Sequence, residues 1–298
     1  VNGGLALSNG VLHLGRHARA GEVRTYDLDG ARIGEGFRFG GRDGGAASVD
    51  GLAVDADLRI LVADRVACAV RSFSVFGVEL ACAIGVANSS RAPRGSDDDA
   101  AGRLGQPASV SVSGVELETR VVVASRGRRR HALQVFDASG AWIESLRPRG
   151  DPQGTFGDLV RVAQQGDRIV ACERAAGLIQ VFRGHEFHYA LRVPTARAGV
   201  EVELRAAAPL SDGRMVVAVG GEGTSAVMVI DANGRRLSTI AASGVDAGAV
   251  NEPTDVVVAE GDSDRRTRVF VVDSDGDRVQ VFTLTGVCYG SFADLPRS

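Results

Sequence analysis

Short apolar runs recur along the chain, each bounded by polar turn residues. The clearest are Val11-Leu12-His13-Leu14, Ile60-Leu61-Val62-Ala63, Val121-Val122-Val123-Ala124, Ile169-Val170-Ala171, Met215-Val216-Val217-Ala218 and Val269-Phe270-Val271-Val272. Their length and their Val, Ile and Leu content predict buried β-strands, and the Asp-Gly, Ser-Gly and Asn-Gly pairs between them predict tight turns. No segment keeps a 3.6-residue apolar period, so no helix is expected.

These runs belong to a repeating phrase, shown best by Gly51-Leu52-Ala53-Val54-Asp55, Arg59 to Asp64, Val70 to Phe73 and Gly77. A third strand carries Gln-Val-Phe at Gln134, Gln180 and Gln280. Hairpin glycines Gly30, Gly77, Gly140, Gly184, Gly234 and Gly286 close six units, spaced 47, 63, 44, 50 and 52 residues apart. Units of this length, repeated six times, predict an all-β fold: a six-bladed β-propeller of four-stranded antiparallel blades. The blades fall at about 1–38, 48–85, 105–147, 154–194, 201–243 and 249–292. One closed domain then accounts for 298 residues, where length alone suggests two. Blade one starts on its inner strand and blade six ends on its outer one, near Phe292. Closure is therefore expected to rest on packing of the first blade against the last, without an exchanged strand.

The pattern resembles the NHL repeat, whose wording is roughly P-x-G-I-A-V-D, then N-I-Y-V-A-D, then R-I-Q-V-F-D and a glycine. Blade two matches through Gly51 to Asp55 and Val62-Ala63-Asp64. Blade six matches through Pro253-Thr254-Asp255-Val256 and Val272 to Phe282. Blades one, four and five are degenerate. The resemblance implies the propeller scaffold but not one activity, because such scaffolds host binding modules, lyases and lactonases. Residues 86–104 and 259–267 read as insertions into this frame.

Composition narrows the partners. All 34 basic residues are arginine, the pattern of a GC-rich genome, and the net charge of −3 excludes a generally basic surface. No apolar run approaches the ~20 residues of a membrane span. The chain opens at Val1 without a signal-type segment, which suits a processed form or a domain of a longer chain. Four cysteines show no metal-ligand spacing; Cys68 and Cys82 fall diagonally on two arms of one hairpin, which leaves a disulfide and the compartment open.

Candidate chemistry lies on the loops after the second strands, on the face where propellers of this type usually bind ligands. Aligned blades place Gly15, Asp64, Ser125, Glu173, Val219 and Asp273 at the strand end, followed by Arg16, Arg65, Arg126, Arg174, Gly220 and Ser274. Four consecutive blades thus supply an arginine at one position, and Arg128, Arg129 and Arg130 add the densest basic run. Guanidinium suits bidentate contact with carboxylates and phosphates. In a lysine-free chain, the same residues also fit ordinary surface ion pairs. RNA binding is disfavoured, because 5% aromatics offer few stacking surfaces.

Histidine pairs His13/His17 and His185/His188 sit on a strand, its loop and a hairpin turn, where zinc spacing has no helix to align it. A zinc lyase would need inner-strand histidines, and those openings were assigned to Gly51, Ser109, Asp158 and Asp255. Asp50, Asp158 and Asp255 are the alternative: oxygen ligands for Ca²⁺ at the channel mouth of a lactonase-like enzyme. Asp273-Ser274-Asp275-Gly276-Asp277 imitates a calcium loop but falls at the repeat's normal turn. The sequence therefore favours a monomeric, non-enzymatic recognition or scaffold propeller that binds a protein or another anionic partner on its loop face without a cofactor. The alternatives are a metal-dependent hydrolase or lyase, and a sensor domain of a larger chain.

Overall fold

The computed structural model describes residues 3–16, 20–40, 45–81, 83–85, 100–114, 118–127, 131–148, 155–175, 177–194, 202–221, 224–274 and 278–292. Blade one is β1 (Leu5–Ser8), β2 (Val11–Arg16), β3 (Gly21–Tyr26) and β4 (Phe37–Phe39). Blade two holds β5 (Gly51–Val54), β6 (Ile60–Asp64) and β7 (Ala69–Phe73). Blade three holds β8 (Pro107–Ser113), β9 (Arg120–Ser125), β10 (Leu133–Asp137) and β11 (Trp142–Leu146). Blade four holds β12 (Leu159–Gln165), β13 (Arg168–Glu173), β14 (Leu178–Arg183) and β15 (Glu186–Arg192). Blade five holds β16 (Glu203–Pro209), β17 (Met215–Gly220), β18 (Ala226–Ile230) and β19 (Arg236–Ala242). Blade six holds β20 (Pro253–Ala259), β21 (Arg268–Asp273), β22 (Arg278–Thr283) and β23 (Cys288–Phe292).

Each sheet is antiparallel and follows chain order, so the molecule is a six-bladed, all-β propeller. Five sheets have four strands and that of blade two has three. There the returning segment touches β7 only at the bridges Phe73↔Glu79 and Val70↔Ile84. Between the two bridges four residues on one side face two on the other, so no continuous ladder forms.

Second and third strands are buried on both faces, which is why they read as unbroken apolar runs; the outer strand β15 instead alternates. Among the described residues the core divides into six apolar clusters, each drawn from two neighbouring blades. The seam between blades six and one joins Leu5, Leu12, Leu14 and Tyr26 to Phe270, Val272, Val279 and Val281. Tyr26 also stacks on Phe292 at 4.9 Å. Both sheets at this seam are contiguous in sequence, so among the described residues no strand crosses it.

The hairpin glycines named from the sequence all take positive φ, from +52° at Gly184 to +87° at Gly140. The repeated glutamines hold the blade connections. Gln134 accepts from Gly102 N and donates to Arg103 O, and Gln280 accepts from Gly248 N and donates to Ala249 O. Arg71 occupies the matching position in blade two and donates to Gly40 O. In each case the carbonyl reached lies 31 residues upstream, so in blades two, three and six one buried side chain anchors the chain arriving from the blade before, whereas Gln180 of blade four donates to Glu173.

Candidate functional site

The innermost strands β1, β5, β8, β12, β16 and β20 surround an axial channel of about 220 Å³. At its upper end, where the inner strands begin and the second strands finish, lies a smaller concavity of about 50 Å³. Arg126, Arg161, Arg174 and Arg205 line it together with Asp50, Asp255, Thr254, Val160 and Gly3.

Two devices aim these side chains. Arg126 and Arg174 follow β9 and β13 directly, as expected from the aligned blades. The others depend on bulges: β12, β16 and β20 each carry an extra residue near the start, at Val160, Arg205 and Thr254. A bulge re-aims a side chain without breaking the ladder beyond it, and all three extra residues face the mouth. Blade five also has Gly220 where blades one to four carry an arginine. A Cβ there would lie 2.7 Å from Arg205 Nε, so the glycine makes room for Arg205.

Arg161 spans the channel. Its Nη1 lies 3.0 Å from Asp255 Oδ2 in blade six, and its Nη2 donates to Leu5 O in blade one at 3.0 Å. Asp255 Oδ2 in turn accepts from Leu5 N at 2.7 Å. Burial raises the Asp255 pKa, against the opposing pull of the Arg161 charge and the Leu5 and Val256 N–H groups. Arg205 Nη2 pairs with Glu252 at 2.6 Å and Glu203 at 3.0 Å. Arg174 Nε stands 3.7 Å from Asp158 Oδ2, beyond hydrogen-bond range. Burial lowers the Arg126 pKa, and the neighbouring Arg174 and Arg65 charges add to that; Asp50 and Asp158 oppose it.

The predicted arc is thus only partly assembled. Arg126 and Arg174 reach the mouth. Arg65 lies at its rim, 45% exposed, with Nε 3.5 Å from Asp50 Oδ1. Arg16 is drawn away, because the hairpin of blade one continues to its position and places it opposite Glu22, on which its buried guanidinium closes at 3.2 Å. Arg128, Arg129 and Arg130 lie outside the described residues.

Nor do Asp50, Asp158 and Asp255 form an oxygen cage: each faces an arginine, respectively Arg65, Arg174 and Arg161. Among the described residues no group of three or more His, Cys, Asp or Glu side chains is placed to hold a metal ion. Asp158 is not an inner-strand opening. Strand pairing makes Arg161 the counterpart of Gly51, Ser109 and Asp255, since each pairs with the residue one before the end acid or its equivalent. Arg161 and Arg205 were therefore missed; the signal was available only as a one-residue bulge, which period-two reading does not detect.

The second-strand acids serve the backbone instead. Asp64 accepts from Ser48 N, Val66 N and Ala67 N, Glu173 from Gly157 N, and Asp273 from Asn251 N and Glu252 N. Asp273 also holds Arg278, which accounts for the first residue of the calcium-loop look-alike; residues 275–277 lie outside the described residues. His185 binds Glu144 at 2.7 Å and His188 packs against Tyr189, so that pair shares no ligand position. His13 is buried on β2, whereas His17 and Cys82 lie outside the described residues. Among the described residues no helix is long and apolar enough to cross a membrane.

No family model matches the chain, and no curated protein matches it, so the repeat resemblance rests on the residues quoted above. Solved propellers are similar in fold. The crystal structure of a nidogen/laminin complex contains a chain 12% identical, with 95% of this chain and 93% of that one covered at a TM-score of 0.62. Virginiamycin B lyase from Staphylococcus aureus is 10% identical, with 99% and 84% covered at a TM-score of 0.60. A catalytically inactive histidine-to-alanine form of that lyase with quinupristin is 11% identical, with 96% and 82% covered at 0.61. At such identities these neighbours speak for the six-bladed scaffold alone, which they share across a protein complex and an enzyme.

Proposed function

We propose that the chain is a non-enzymatic recognition propeller whose axial mouth binds an anionic group of a partner, most simply an acidic protein segment. The observation that carries this reading is the convergence of Arg126, Arg161, Arg174 and Arg205 on one concavity. The counter-charges of Arg174 and Arg205 sit towards solvent: the Asp158, Glu203 and Glu252 side chains are 36–47% exposed, against 28% and 15% for the two arginines, whereas Asp255 is buried with Arg161. An incoming anion meets these cations where the dielectric is lower and their attraction stronger than in open water.

The enzymatic alternative draws less support. The lyase form rendered inactive in the similar structure lacks a histidine, and no described histidine lines the mouth or the channel here. A divalent cation would meet four guanidinium groups in competition for the same carboxylates. The nidogen/laminin neighbour gives a precedent for such a scaffold in a protein complex.

The test is retention of the chain on immobilised polyglutamate at low salt. The Arg126→Ala/Arg174→Ala variant should lose retention that the parent shows, and the parent's retention should weaken as salt rises. Equal retention of parent and variant would remove the mouth as the binding site.

A further inference from the structure

We infer that the mouth selects a single carboxylate over a phosphate, holding it on the Nε–H groups of Arg161, Arg174 and Arg205. This rests on the reading of the mouth as an anion site and names the anion. Terminal nitrogens of two of these arginines are already committed in this site. Arg161 gives Nη1 to Asp255 and Nη2 to Leu5 O, and Arg205 gives Nη2 to Glu252 and Glu203. Beside them, the Nε atoms of Arg161, Arg174 and Arg205 are buried and have no hydrogen-bond partner among the described residues. The Arg161 side chain is only 9% exposed, so its Nε cannot turn to bulk water for an acceptor.

Three separate N–H donors match a carboxylate, whose two oxygens offer about four lone-pair positions. A phosphate group brings more oxygens than the three Nε–H groups match and a charge of about −1.5 to −2 near neutrality. The concavity of about 50 Å³ accepts a small planar group. Asp50 and Asp255 line the same space and repel a second negative charge more than a first. Burial first, and then the neighbouring Arg174 charge, lowers the Arg126 pKa, and one added anion offsets the repulsion between the two arginines.

The experiment records the arginine Nε–Hε resonances of the ¹⁵N-labelled full chain, assigned with single Arg→Lys variants, while sodium acetate or inorganic phosphate is added at constant ionic strength. Resonances of Arg161, Arg174 and Arg205 should shift together and saturably with acetate, at least about tenfold more tightly than with phosphate. Gly220→Ala, whose new Cβ displaces Arg205 Nε, should weaken acetate binding and leave the Arg174 resonance responsive. Phosphate binding as tightly as acetate, or three resonances that respond independently, would overturn the carboxylate assignment while leaving an anion site standing. Failure of acetate, phosphate and polyglutamate alike would overturn the anion site itself. Two competing peptides then locate the source of the carboxylate: one amidated with a single Glu side chain, the other neutral with a free C-terminus. Competition by either, or by neither when acetate binds, assigns the group to a side chain, a chain end or a small free acid.

Discussion

Arg161 Nη1, on an inner strand of blade four, lies 3.0 Å from Asp255 Oδ2 on an inner strand of blade six. Both side chains are almost wholly buried, and both also bond to the backbone of Leu5 in blade one. Removing one partner of a buried ion pair strands the other charge, at a cost of about 3–5 kcal/mol, whereas replacing both with apolar groups is often neutral. Asp255→Ala should therefore lower unfolding stability by about that amount in a urea titration. Arg161→Met combined with Asp255→Leu should recover most of the loss. A double variant as unstable as the single one would show that the pair acts through something other than mutual neutralisation.

Burial pulls the His13 imidazole from its ordinary pKa of 6.5 to about 4. Above pH 6.5 neither folded nor unfolded chain binds this proton, and the residue contributes no pH dependence. As pH falls from 6.5 towards 4, the unfolded chain takes up a proton that the folded chain refuses, so stability drops by about 3 kcal/mol in all. His13→Leu should flatten that part of the stability–pH curve relative to the parent. Parallel curves for the two proteins would contradict the neutral, buried state of His13.

Gln280 satisfies Gly248 N and Ala249 O with its two amide atoms. Gln280→Ala leaves Gly248 N without that side-chain partner, at about 1–3 kcal/mol if it stays buried, whereas Ala249 O keeps its bond from Arg278 Nη2. Hydrogen exchange at the Gly248 amide should accelerate more than exchange in the distant β9. Uniform acceleration across the chain would mean that the glutamine stabilises the ring globally and does not anchor the connection.

Two turn glycines separate backbone strain from packing. Gly30 and Gly184 both have positive φ, but a Cβ on Gly30 would lie 2.5 Å from the Phe292 ring, whereas one on Gly184 meets nothing within 4 Å. Each Gly→Ala change costs upwards of about 1 kcal/mol in backbone strain. Gly30→Ala should cost measurably more in thermal unfolding, because it also wedges apart the seam between blades six and one. Equal losses would mean that Phe292 moves aside freely.

The propeller was legible because its signals are local and repeated: two-sided apolar runs, turn glycines at hairpin spacing and the recurring Gln-Val-Phe. The row of Arg65, Arg126 and Arg174 was legible for the same reason. Arg16 belongs to that row in sequence but not in space, since its direction is set by a cross-strand glutamate, Glu22. Arg161 and Arg205 stayed hidden because a bulge is a difference of one residue between paired strands, and pairing is absent from a linear reading. Gln134 and Gln280 were recognised as markers of the repeat, but their partners 31 residues away emerge only when consecutive blades meet.

Among the described residues no strand crosses the junction of blades six and one, so the described ring resembles a split washer: the chain stitches five junctions, and at the sixth the described blades meet through side chains. Such a ring opens without unthreading anything. Arg161 is the latch across the split, since it grips blade one at Leu5 and blade six at Asp255 from the far side of the channel. A partner's anion drawn to that arginine would thus touch the fastening of the whole ring.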